Sequence, residues 1–196
     1  MGSLTILSGA IGIGLGFGLQ KITSNFISGL ILLAEKSMEV GDLVELSAGE
    51  MGIVRRMGAR YTLIETFDSK EIMIPNEDFI TSRVINWTFT NRQGRVEIFV
   101  GVSYDSDLEL AKSLIIEAAK SHPRCSKKPE PQCYITQFAD SSVNFLLYFW
   151  VDDVTQGRLD AKSDVYMAIW KAFREHKITI PFPQSDVLIK NWEARS

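Results

Sequence analysis

The sequence predicts a membrane-inserted α-helix, then a small β domain, then an α/β domain of the split βαβ kind. Three observations carry this. Between positions 4 and 34 the only ionisable side chain is Lys21, whereas charges are regular and dense afterwards. Residues 35–88 hold short apolar or alternating runs broken by glycine and turn residues, the pattern of strands. From Arg95 onward the apolar period switches between strand and helix in the order β-α-β-β-α-β.

The 196-residue chain has a net charge of −3. No basic excess exists to neutralise phosphates, which argues against nucleic acid as a partner. Cys125 and Cys133 are too few for a disulfide framework and read as reduced thiols in a cytosolic domain. His122 and His176 stand apart and no Cys-x-x-Cys occurs, so neither a metal site nor a cofactor is predicted. The start has no basic region and no convincing cleavage site, which speaks against a secretory signal. Met1-Gly2-Ser3 reads as a leader on a piece of something longer.

Residues 4–19 read LTILSGAIGIGLGFGL. As a helix they rise about 24 Å, short of the ~30 Å of bilayer hydrocarbon. Each glycine inside a helix costs about 1 kcal/mol relative to alanine. The five in this stretch therefore call for an explanation by close packing. At about 100° per residue, Ile6, Ile13 and Phe17 fall on one narrow stripe. Gly9, Gly12 and Gly16 lie on one flank of it, and Ala10, Gly14 and Gly18 on the other. Leu4, Ile11, Leu15 and Leu19 occupy the opposite side. Small residues on two flanks admit a neighbour on each side, as a ring of identical helices requires; an ordinary dimerising helix is the alternative. In a ring the bulky stripe faces the axis and forms an apolar pore, narrowest at Ile13 and Phe17, that closes by dewetting. No P-loop or G-x-G-x-x-G spacing fits these glycines.

A polar cluster at 20–25 interrupts the apolar run, which resumes over 26–33 and includes Gly29. A straight helix over 4–34 would reach about 46 Å, too long for the membrane. A bend is therefore expected near 20–24, involving Gln20 and Lys21 with Gly29 beyond, and the second half becomes an interfacial helix.

In the β domain, strands are expected over 43–46, 53–57, 61–66 and 71–74. Ala48-Gly49 and Asp68-Ser69 supply hairpin tips, and Pro75-Asn76 ends the last strand. Arg55, Arg56 and Arg60 form a weak basic cluster, read as a solvated face. Beyond it come a strand (96–102), a helix (108–121), two strands (132–138 and 143–151), a helix (162–175) and a strand (187–190). Asp105, Ser106 and Asp107 read as N-capping residues of the first of these helices rather than as an acidic catalytic or metal cluster. With no nucleophile elbow, phosphate loop or signature Cys–His pair, no catalytic residue is predicted.

The motifs GLGFGLQ (14–20), SNF.SGL (24–30), VGD.VE (40–45), IPN (74–76), VINWT (84–88), GVSYDSD (101–107), DSSVNF (140–145) and IPFPQ.D (180–186) resemble those of the MscS-like mechanosensitive channels. They occur in family order along essentially the whole chain. GLGFGLQ and DSSVNF look nearer to the larger, potassium-dependent members. The resemblance implies a homoheptamer in the inner (plasma) membrane, multi-pass in the full protein, opened by bilayer tension. Its partners are then the bilayer and weakly selected permeating ions, and its task is to relieve osmotic downshock. Two apolar residues one turn apart close the family's pore and match Ile13 and Phe17; its small packing positions match Gly9, Ala10, Gly12, Gly14 and Gly16. The implied domains are a pore-lining and interfacial helix (1–34), an Sm-like β barrel (35–88), a ferredoxin-like split βαβ domain (89–180) and a strand of an intersubunit barrel (181–196). The smallest family member has glycine where this chain has Lys21, and the family carries at least two membrane helices ahead of the pore helix. The alternative is a membrane-tethered Sm-like module for nucleic-acid binding or structural oligomerisation.

Overall fold

The computed structural model describes residues 2–47 and 49–185, with side chains of the first helix from Leu7 onward. The chain forms two compact units. One runs to Arg92 and takes in Val154–Gly157; the other comprises Gln93–Asp153 and the chain from Arg158.

The first unit opens with α1 (Gly2–Glu35). The helix ends where Lys36 adopts a left-handed backbone (φ 51°) and its N–H reaches the carbonyl of Leu32, a terminal turn that satisfies otherwise free carbonyls. Strands β1 (Leu43–Glu45), β2 (Met51–Met57), β3 (Tyr61–Thr66) and β4 (Glu71–Pro75) follow, then α2 (Asn76–Thr81) and β5 (Ile85–Asn86). They form one antiparallel sheet in the order β4-β3-β2-β1-β5. Val44, Val54, Ile64, Ile74 and Phe79 fill its core, and Leu32 of α1 and Met38 join them. The sequence placed the first four strands but neither α2 nor β5. These two are six and two residues long, too short to show a period. Gly49 (φ 83°) and Ser69 (φ 62°) turn two of the hairpins as expected; Ala48 of the first tip lies outside the described residues.

One carboxylate ties the start of this sheet to its end. Asp42 accepts hydrogen bonds from the backbone N–H of Glu39 (2.9 Å), the carboxamide of Asn86 (2.9 Å) and the hydroxyl of Thr88 (2.8 Å). Gly41 before it has φ 97°, a backbone that side chains rarely adopt, and this turn aims Asp42 across at β5. The VGD and VINWT motifs thus meet at a single polar hub.

The second unit holds β6 (Gly94–Val102), α3 (Leu108–Lys120), β7 (Gln132–Phe138), β8 (Val143–Val151) and α4 (Leu159–Glu175). The strands pair antiparallel in the order β6-β8-β7. Every second residue of β6 and β8 is buried, because α3 and α4 cover one face of the sheet. Phe145, Phe149, Phe173, Ile98 and Ile115 are the large, fully enclosed side chains of this core. Asp107 caps α3 as expected, accepting from the N–H of Leu110 at 3.0 Å. The strand expected at 187–190 lies outside the described residues.

Burial on its own would raise the pKa of Asp42. The bonds from Glu39, Asn86 and Thr88, with the positive charge of Arg92, outweigh it and hold the carboxyl below its ordinary 3.8. A depressed carboxyl favours the folded state above the unfolded value and loses that advantage as pH falls through the folded one. Thermal unfolding followed against pH should therefore lose stability below about 3.8. Asp42→Ala should remove this part of the acid limb and lower stability at neutral pH by about 1–3 kcal/mol.

Candidate pore helix and its junction with the β domain

Two parts of α1 have different surroundings. Residues 7–23 are exposed throughout. Ile13 is 64% and Phe17 73% exposed. A Cβ added to Gly9, Gly12, Gly14, Gly16 or Gly18 would meet nothing within 4 Å, and Ala10 is likewise exposed. The stretch Leu7–Glu35 is long and apolar enough to cross a membrane. A helix apolar all round belongs in lipid or among other helices, and among the described residues none buries the part from 7 to 23. Of the predicted stripe, Ile13 and Phe17 stand on the free part of the helix; the side chain of Ile6 lies outside the described residues.

From Ser24 onward one face is packed. Ser28, Gly29 and Leu32 are buried and Asn25 is partly so. Asn25 accepts the N–H of Glu77 at 3.1 Å and donates to the Lys21 carbonyl at 2.9 Å. It thereby caps one of the free donors at the start of α2. Asn76 beside it is 1% exposed. Its carboxamide accepts from Thr62 and donates to the Gly58 carbonyl, both at 2.9 Å. Gly29 lies directly over this pair. A Cβ there would come within 2.5 Å of Asn76 Nδ2 and 2.7 Å of the Ala59 carbonyl oxygen.

The bend expected near 20–24 does not appear as a break: α1 is one continuous helix from Gly2 to Glu35. Neither Gln20 nor Lys21 interrupts it. Gly29 is a close-packing position rather than a flexible one. The length conflict is met differently, because the turns from Asn25 onward belong to the β domain. Residues 4–24 alone rise about 30 Å, the thickness of the hydrocarbon layer.

Sequence reading missed Asn25, Asn76 and Asp42. The available signal was a polar residue inside each of the quoted motifs SNF.SGL, IPN and VGD.VE; burial gives such residues structural work. The arginine cluster is largely engaged: Arg55 pairs with Glu65 at 2.7 Å and Arg56 lies over the Tyr61 ring at 5.5 Å. In the second unit both cysteines are free, and burial pushes the Cys133 thiol up to about 11. Among the described residues no cluster of His, Cys, Asp or Glu could hold a metal ion.

A helix long and apolar enough to cross a membrane, exposed from residue 7 to 23 and packed beyond that on a folded β domain, fits a membrane-protein subunit. The family models sharpen this. Residues 21–89 match the β-domain of mechanosensitive ion channels, and residues 96–180 match the C-terminal domain of the mechanosensitive channel MscS. The chain is 39% identical over 94% of its length to an uncharacterised MscS family protein of Haemophilus influenzae. It is 38% identical, again over 94%, to the mechanosensitive channel MscK of Escherichia coli. It spans 16% of the length of each of these two relatives. The crystal structure of Helicobacter pylori MscS in its closed state superimposes with a TM-score of 0.81 at 28% identity, covering 97% of this chain and 74% of that one. The chain belongs to the MscS family of mechanosensitive ion channels.

Gly29→Val should force α1 away from Asn76. Overpacking of this kind typically costs about 1–3 kcal/mol, so the thermal midpoint of the detergent-solubilised protein should fall and amide exchange at Glu77 should rise.

Proposed function

We propose that copies of this chain line the pore of a tension-gated, weakly selective ion channel in the inner (plasma) membrane, where it relieves osmotic downshock. The observation that carries the reading is the upper part of α1: apolar on every side, rich in glycine, and exposed throughout from residue 7 to 23. Residues 4–24 cross the bilayer. Gly9, Gly12 and Gly16 on one flank, with Ala10, Gly14 and Gly18 on the other, receive the neighbouring helices, since small residues let backbones approach closely. Seven copies, the number expected for this family, close the ring. Ile13 and Phe17 then face the axis one turn apart and hold the pore shut by keeping it dry.

The remaining domains follow from the same assembly. Residues 35–88 form an Sm-like collar below the membrane and residues 89–180 the wall of a cytoplasmic cage. The relatives support this reading: MscK is named a mechanosensitive channel, and the H. pylori structure is described as a closed state.

Phe17→Ser in the full-length protein should wet the constriction and give a raised closed-state conductance in single-channel recordings; an unchanged closed level would remove Phe17 from the gate. Gly16→Leu should keep neighbouring helices apart. The detergent-corrected particle mass should then fall below that of seven subunits, and an intact ring of native conductance would speak against the flank assignment.

A further inference from the structure

We infer that Phe182 of one copy docks on the Tyr104–Phe138 ring pair of the next, at one end of the second unit. The inference rests on the ring proposed above and names two surfaces that hold neighbouring copies together outside the membrane. Two motifs that the pore reading leaves unused, GVSYDSD and IPFPQ.D, meet at this end. The chain after α4 runs past it as a strap. Thr179 accepts the N–H of Ser103, just beyond β6, at 2.9 Å. Further on, the N–H of Gln184 donates to Ser141, in the hairpin between β7 and β8, at 3.0 Å. The Tyr104 hydroxyl links these two anchor points by donating to the Ala139 carbonyl.

Both ends of the strap are tied down, yet its middle presents a ring to solvent. Phe182 is 85% exposed, and among the described residues no large apolar side chain is more so. Pro181 and Pro183 flank it. Each fixes its own φ and confines the residue before it to extended backbone, so the ring is held out on a stiffened segment and loses little freedom on docking. Beside the strap, Tyr104 and Phe138 stack with centroids 6.4 Å apart and planes 22° from parallel, and they are 50% and 68% exposed. Among the described residues Phe182 stacks on no ring. Single exposed apolar side chains are ordinary, whereas several gathered at one place mark a contact surface. Each copy thus carries a projecting ring and an open pad that do not serve each other. Such a pair joins identical molecules head to tail, and head-to-tail contacts close into a ring, the symmetry that the two small-residue flanks of α1 also call for. None of the three side chains is charged, so the contact selects an apolar aromatic partner, which the neighbouring copy supplies.

The test is cross-linking of the full-length, detergent-solubilised protein with a short bismaleimide. The parent should give no product, because burial pushes the thiols of Cys125 and Cys133 up. Phe182→Cys/Phe138→Cys should give a ladder of multimers, and the two single variants expressed together should stop at dimers. A cross-link confined to one chain overturns the proposal, since Phe182 would then serve its own pad; so do dimers from Phe182→Cys alone, which would mean a two-fold contact. As a second measurement, Phe182→Ala should raise the protein concentration at which the ring dissociates by about tenfold, while Phe182→Tyr leaves it near the parent's. Equal dissociation of Phe182→Ala and parent rings also overturns it. A ladder missing from a particle of ring mass sinks this inference alone, whereas a parent that stays monomeric in detergent removes the ring reading with it.

Discussion

At Gly29 the helix backbone comes so close to Asn76 and the Ala59 carbonyl that not even a methyl group fits between them. Hydrogen bonds surround this contact. Asn76 is satisfied by Thr62 and Gly58, and Asn25, one turn before Gly29 on α1, caps the start of α2. Unpaired amides at such a depth would be strongly unfavourable, so the pairing fixes how α1 rests on the β domain. Leu32 then reaches the apolar core of that domain. The direction in which the free, apolar part of α1 leaves the folded unit depends on this junction.

The polar hub at Asp42 does for the sheet what Asn76 does for the helix. It joins the turn before β1 to Asn86 and Thr88, so that the short strand β5 is held by side-chain bonds as much as by its two-residue ladder. Both hubs place a polar group where an apolar one would have filled space without specifying direction.

Much of this architecture was legible because it follows from period and punctuation. β3, β7 and β8 occupy the predicted residues, since alternation and flanking turn residues coincide there. The features that escaped were those that depend on tertiary contact. α2 has one turn and a half and is held by tertiary contact, with Asn25 accepting the N–H of Glu77 in its first turn. The bend near Gln20 rested on length and on the polar cluster at 20–25. That inference assumed the whole apolar stretch must lie in or along the membrane, whereas Ser28, Gly29 and Leu32 are spent on the β domain. The stripe of Ile13 and Phe17 could be drawn from a helical wheel, because spacing decides which residues share a face; what the face meets depends on other chains.

An unbroken α1 also behaves as a shaft. Phe17 and Asn25 lie eight positions apart, about 12 Å along the axis and about 80° around it, on one run of consecutive backbone hydrogen bonds. Such a rod resists twisting. In the proposed pore, any rotation that swings the Phe17 ring off the axis applies torque at Asn25 and Gly29, about two and three turns below. There Gly29 sits directly against Asn76 and the Ala59 carbonyl, so a turn that carried a neighbouring side chain into this contact would clash. The β domain therefore sets the rotational stiffness against which the membrane-spanning part must work.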